Sequence, residues 1–244
     1  MEYAIQPNNR VAYQICFADD DLLVVEKPPG LVTQPGKKHE HDSLLNGLFC
    51  DYGNLLQNLG ESRGWGLLHR LDKETSGLVL VALRVRSYER LLEQFKKRQV
   101  KKTYWAIVMG SPRPAQGVIQ KPIAEIVGQT KRAVIKRDGQ QAITAYRVIQ
   151  SSEKVSLIEA LPKTGRLHQV RVHMAALGHP IVGESVYADK ADLPAVPRLC
   201  LHAAALSFVH PRTDRRMQVL SPWPSDLQKT LKRLGLDPPP EPGR

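Results

Sequence analysis

Cysteine is scarce: Cys16, Cys50 and Cys200 are the whole complement. Three thiols, far apart and odd in number, build neither a disulfide framework nor a C-x-x-C metal clip, and they fit reduced, mostly core thiols in a cytoplasmic protein. Long apolar runs are missing too. No stretch approaches the roughly 18–20 apolar residues needed to span a bilayer, and Met1 to Arg10 lack the apolar centre of a secretion signal. No repeat period is visible. Acidic residues are in deficit, 24 against 35 Lys plus Arg, which leaves a net charge of +11. That imbalance favours a polyanionic partner, nucleic acid ahead of an anionic membrane surface.

What the chain does have is 244 residues at 42% hydrophobic content, enough for one large domain or two small ones. Residues 1–14 are expected to form a flexible arm. Short strands are predicted at 15–18 and 22–26, the second stopped by Lys27-Pro28-Pro29-Gly30 because neither proline can donate to a ladder. A short helix is predicted from Ser43, its N-cap, to about Tyr52, and the glycine-containing stretch 53–66 is predicted as a flexible loop. Leu78 to Leu83 is an unbroken apolar run of strand length, as for a strand buried on both faces. Ser87 can cap a helix that carries Tyr88, Leu91, Leu92 and Phe95 on one side. That helix ends in Lys96-Lys97-Arg98-Gln99-Val100-Lys101-Lys102, more cations than the helix dipole requires. Further strands are expected at 103–109, 142–149, 155–161, 199–209 and 217–220, with short strands and basic loops over 118–140. Helices are expected at 167–177 and from Pro224 to Leu234. The Pro-rich tail 236–244 is expected to be disordered. No composition break divides the chain, and strands follow one another as hairpins more often than through helices. The expectation is one α+β domain over 15–235, on a mixed, mostly antiparallel sheet flanked by helices.

The stretch ahead of the apolar strand is the chemical centre. His69-Arg70-Leu71-Asp72-Lys73-Glu74-Thr75-Ser76-Gly77 sets an acid between an arginine and a Thr-Ser-Gly turn. Taken alone, such an aspartate more often ties down its own turn. Two further stretches change the weighting: Lys101-Lys102-Thr103-Tyr104-Trp105-Ala106, and Pro162-Lys163-Thr164-Gly165-Arg166-Leu167-His168-Gln169-Val170-Arg171-Val172-His173. Together the three resemble the RluA-type pseudouridine synthases, with the patterns H-R-L-D-x-x-T-S-G-L and T-G-R-x-H-Q-x-R-x-H complete. Val25-Glu26-Lys27-Pro28-Pro29-Gly30, Gly178-His179-Pro180-Ile181-Val182-Gly183-Glu184 and Leu201-His202-Ala203 match shorter family pieces, in the family's order, so the resemblance covers about residues 15–224.

The resemblance implies a cofactor-free isomerase that flips a uridine out of RNA, cuts its N1–C1′ bond and rejoins the uracil through C5. Asp72 matches the family's essential aspartate, which must be ionised whether it attacks the sugar or removes a sugar proton. Arg171 matches the arginine that pairs with that acid, and an opposite charge nearby favours the carboxylate. Tyr104 matches the tyrosine that stacks on the uracil. RNA contacts are expected from Arg70, His69, Arg166, His168, Lys102, Lys97 and Arg98, with Arg70 placed to fill the space that the base vacates or to hold the flanking phosphate. Only about fourteen residues precede the first strand, so the S4-like domain of longer members is expected to be absent. The expected substrate is then a stem-loop of tRNA, of large-subunit rRNA, or both, and the expected state is a monomer with no membrane partner. No metal site is expected: His168 and His173 stand about 500° apart on a helix, off a common face, and no acid or thiol completes a ligand set. The alternatives are a non-catalytic RNA-binding module of the same fold and a histidine-based metal hydrolase.

Overall fold

The computed structural model describes residues 3–128, 131–188 and 194–240, apart from the side chains of Val127 and Lys131. In chain order its elements are β1 (Gln14–Ala18), β2 (Leu22–Lys27), α1 (Leu44–Leu59), a 3-10 turn at Glu61–Gly66, β3 (Ser76–Ala82), α2 (Val85–Lys96), β4 (Lys101–Met109), β5 (Gln116–Ile119), β6 (Ile123–Val127), β7 (Lys131–Ile135), β8 (Thr144–Ser151), β9 (Val155–Pro162), α3 (Gln169–Ala176), β10 (Leu201–Val209), β11 (Arg216–Leu220) and α4 (Ser225–Arg233). The class is α+β: a mostly antiparallel sheet with flanking helices. The backbone packs as two compact units, 1–101 with 205–221 and 102–204 with 222–244. Of the three crossings between units, two fall inside strands, at the start of β4 and in the middle of β10, and the third follows β11, at 221–222. Composition marks no linker at these points.

In the first unit the strand order is β1-β2-β3-β10, with β11 paired to the 205–209 part of β10. Strand β3 is buried along its whole length, as its apolar run requires, and pairs with β2 from Leu22↔Ala82 to Lys27↔Gly77. Leu22, Val24, Leu78, Leu80, Ala82, Leu91, Leu206 and Phe208 share one core, with Tyr88 and Phe95 of α2 packed against it. In the second unit the order is β10-β4-β9-β8-β5, and β6 and β7 form a separate two-stranded hairpin. Its main core joins β4 and β9 to Val170 and Met174 of α3 and to Leu227 and Leu231 of α4. A smaller one seats Ile123, Ala133 and Ala142 against Val172.

Three local expectations need correction. The stretch 53–66 is not a flexible loop, because α1 continues to Leu59 and the 3-10 turn follows. The arm is not loose over its described residues: Tyr3 packs edge-on against Phe49, and the Asn46 side chain donates to the Gln6 carbonyl. Ser87 does not cap α2. The helix starts two residues earlier, after Arg84, and the Ser87 hydroxyl donates to Asp21 Oδ1 (2.7 Å). Ser43 does cap α1, in a reciprocal box with Asn46. In the tail, Leu236 is buried and the Asp237 amide donates to Gln150; residues 241–244 lie outside the described set.

Candidate active site

Asp72 lies in the first unit, on the loop that β3 delivers, and its side chain is half-buried. The backbone around it is bonded on both sides. Thr33 Oγ1 donates to the Leu71 carbonyl (2.8 Å) and accepts from the Leu71 amide (3.1 Å). The Thr75 amide donates to the Asp72 carbonyl (3.1 Å), closing a turn. The Lys73 carbonyl accepts from the Gly30 amide (2.8 Å) and from Lys27 Nζ (3.3 Å). Lys27 is fully buried, and its ammonium also donates to the Pro28 and Leu31 carbonyls at 2.8 and 2.7 Å. The lysine of the Lys27-Pro28-Pro29-Gly30 piece thus ties its own loop to the loop of Asp72. A cation without solvent is stable when its charge is met by such acceptors.

His69 is half-buried. Its Nε2 accepts from the Leu80 amide (3.0 Å), which fixes the proton on Nδ1, and its ring lies against Phe95. This histidine anchors the loop to its strand. Arg70 is exposed, as are Lys97 and Arg98 at the end of α2, where Lys97 pairs with Glu93 and Arg98 takes a positive φ of 57°.

Tyr104, Lys102, Arg166, His168 and Arg171 belong to the second unit. Lys102 and Tyr104 are two apart on β4 and so share a face. Lys102 Nζ donates to the Thr164 carbonyl (3.0 Å), and burial pushes its ammonium down to about 8. Thr164 Oγ1 donates to Gln169 Oε1 (2.6 Å) and accepts from the Ile143 amide, while the Arg166 amide also donates to Gln169 Oε1. The Thr-Gly-Arg turn is therefore locked to the first residue of α3 before the helix begins. Arg166 Nε reaches the Gln141 carbonyl. His168 takes a left-handed φ of 51° at the N-cap, and its Nδ1 lies 2.6 Å from the Tyr187 hydroxyl.

Arg171 is not a surface cation. It is 2% exposed and bonded bidentately to Glu184, Nε to Oε2 at 2.8 Å and an NH2 group to Oε1 at 2.7 Å. Burial pushes the Glu184 carboxyl up, but the Arg171 guanidinium and the Ser185 and Val186 amides outweigh it and hold the group below its ordinary value. Glu184 and Tyr187 were given no role from sequence. For Glu184 there was a signal: it closes the Gly178-His179-Pro180-Ile181-Val182-Gly183-Glu184 piece that resembles a family pattern. Tyr187 carried none.

The remaining histidines are tied mainly into structure. His173 is buried, with Nδ1 on Thr144 Oγ1 and Nε2 on the Lys121 carbonyl, and burial lowers its pKa. His179 Nδ1 donates to the Met109 carbonyl. Among the described residues one trio, Asp19, Asp21 and His210, brings carboxylate and imidazole atoms within ligand spacing of one another. Those atoms already have partners. Asp19 Oδ2 meets His210 Nε2 (2.7 Å), Asp19 Oδ1 accepts from the Asp21 and Leu22 amides, and Asp21 Oδ1 accepts from Ser87. Arg212 Nε lies 2.5 Å from Asp21 Oδ2, at ion-pair distance without hydrogen-bond alignment. The donor set is that of a turn clamp, with the Arg212 guanidinium beside one of its carboxylates.

A family model described as RNA pseudouridylate synthase matches residues 21–176, and the chain belongs to that family: it is an RNA pseudouridine synthase, an isomerase. Among particular relatives, the chain is 39% identical over 211 residues to the dual-specificity RNA pseudouridine synthase RluA of Escherichia coli, covering 85% of this chain and 92% of that one. It is 37% identical over 233 residues to the ribosomal large subunit pseudouridine synthase D of Zymomonas mobilis, covering 92% and 73%. A solved structure, human RNA pseudouridylate synthase domain containing 4, is similar with a TM-score of 0.73 and 28% identity, over 93% of this chain and 95% of that one.

Proposed function

We propose that this enzyme converts uridine to pseudouridine in a stem-loop of tRNA, of large-subunit rRNA, or both, and that Asp72 is its catalytic acid. The observation that carries the assignment is the loop: every residue from Leu71 to Lys73 has its carbonyl bonded, to Thr33, Thr75, or Lys27 and Gly30. A half-buried carboxylate on backbone held this firmly can be aimed at a sugar carbon within the tolerance that catalysis demands. The rRNA possibility is supported by a relative named for the ribosomal large subunit, and action on more than one RNA by a relative named as dual-specificity.

In the reaction the target base leaves its stack, which requires a few kcal/mol that contacts to the extruded nucleotide must offset. The N1–C1′ bond breaks, the uracil turns, and C5 bonds to C1′. The hydrogen on C5 departs as a proton and N1 gains one, so no cofactor or net redox change enters. Asp72, as carboxylate, acts on the ribose. The resemblance assigns Arg171 to pairing with that carboxylate and Tyr104 to stacking on the uracil, an interaction worth roughly 1–3 kcal/mol per base. Arg70, His69, Arg166, His168, Lys102, Lys97 and Arg98 are proposed to face RNA, His69 also serving as the loop's anchor. The setting is taken as cytoplasmic and the enzyme as a monomer. Carbodiimide mapping of pseudouridine in tRNA and in large-subunit rRNA transcripts, treated separately, tests the substrate. A single new adduct site in a stem-loop of either supports the proposal; adducts in neither contradict it.

A further inference from the structure

Arg171 and Glu184 are 2% and 0% exposed, a charge pair removed from water. A buried ion pair is seldom the most stable way to fill its volume, since apolar residues of similar size commonly do as well or better. Its distinctive property is geometry. The bidentate bond fixes the plane of the guanidinium, because the two parallel N–H groups match the two carboxylate oxygens. The Tyr187 ring fixes its face, with Arg171 Cζ 5.5 Å from the ring centroid. The two supports are themselves fixed. The Ser185 and Val186 amides donate to Glu184 Oε1 at 2.9 Å, and Gly183 has a φ of 84°, in a turn where any Cβ would collide with the Arg198 carbonyl. The Tyr187 hydroxyl accepts from the Ala133 amide (3.0 Å) and shares a hydrogen bond with His168 Nδ1 (2.6 Å). Tyr187 thereby links β7, the N-cap of α3 and Arg171.

We propose that Glu184 and Tyr187 are positioning residues for Arg171, the carboxylate setting the plane of its guanidinium and the ring its face, so that Arg171 meets the reacting groups in one preset geometry. This rests on the assignment of Arg171 to the reaction made above. Neither residue touches the nucleotide; both act through the arginine. Fixing the partner before substrate arrives is the condition under which a charged group contributes most in the transition state.

The test is a set of single-turnover rates and RNA dissociation constants for Glu184→Gln, Tyr187→Leu and Arg171→Ala, with the two double variants that include Arg171→Ala. Near-ultraviolet circular dichroism checks that each is folded. Glu184→Gln keeps the shape and removes the charge; Tyr187→Leu removes the ring and leaves the ion pair intact, so it remains informative if the Glu184 variant folds poorly. The rate is expected to fall about tenfold to a hundredfold in each, in line with a misplaced catalytic group, with RNA affinity within about twofold of wild type. In the Arg171→Ala background neither change should lower the rate further. Losses that multiply in that background, or a loss of RNA affinity at unchanged rate, would overturn the proposal. Arg171→Ala at the wild-type rate would overturn the assignment of Arg171 and this inference with it, whereas an inactive Arg171→Ala beside fully active Glu184→Gln and Tyr187→Leu would overturn this inference alone.

Discussion

Lys27 and Lys102 are lysines held in places where lysines rarely sit, and each makes a measurable claim. Lys27 has no exposed surface, and its ammonium bonds the carbonyls of Pro28, Leu31 and Lys73. Lys27→Met keeps the stem and strands the Pro28 and Leu31 carbonyls, each at roughly 1–3 kcal/mol, while the Lys73 carbonyl keeps the Gly30 amide. Chemical denaturation should show a loss of about 2 kcal/mol or more, and an unchanged midpoint would contradict the role. For Lys102 the folded pKa of about 8 lies below the ordinary 10.5, so the unfolded chain binds more protons between those values. Its burial penalty is complete below pH 8 and fades as pH rises to 10.5. Wild type should gain up to roughly 3 kcal/mol over Lys102→Met across that window. Equal pH dependence in the two proteins would show that the ammonium is not desolvated. At this scale Asp72, Tyr104 and Arg171 were singled out by resemblance to the family's motifs. The sequence did not mark Tyr187, because a contact between a helix and the loop well beyond its end leaves no periodicity.

Among the elements, β3 was legible and α1 was not. An apolar run has few ways to fold, and Leu78 to Ala82 are all fully buried. Leu80→Ala should therefore destabilise by about 2–5 kcal/mol, read from thermal or denaturant unfolding; a loss under about 1 kcal/mol would mean that the strand is less tightly packed than described. In α1 a glycine misled. Gly53 looks like the start of a loop, but a Cβ there would collide with Tyr3, as one at Gly47, inside the predicted helix, would with Val11. They are notches in which the N-terminal arm seats, and so one misreading, a loop for a helix, produced the other, a loose arm for a docked one. The helix start was readable because its chemistry is local: Ser43 and Asn46 satisfy each other's backbone amides. Ser87 imitates such a cap, but its hydroxyl is claimed by Asp21, a partner distant in sequence.

For the whole molecule, a net charge of +11 is the property that sequence states most directly. If the exposed cations neutralise RNA phosphates, log affinity should fall linearly with log salt, by about 0.7–0.9 per phosphate contacted. A flat salt dependence would remove electrostatics as the basis of RNA capture. The division into two compact units was hidden from sequence because two of its three boundaries lie within β4 and β10, where the residue pattern of a strand continues unbroken. The central claim is that Asp72 carries uridine isomerisation in RNA. Tritium release from RNA labelled at uridine C5 tests it most directly, because joining the ring through C5 must expel that hydrogen. The account predicts release by the wild type and none by Asp72→Asn, with the variant still binding RNA at least as tightly, since a carboxylate among phosphates is repelled. Release by Asp72→Asn at the wild-type rate would contradict it.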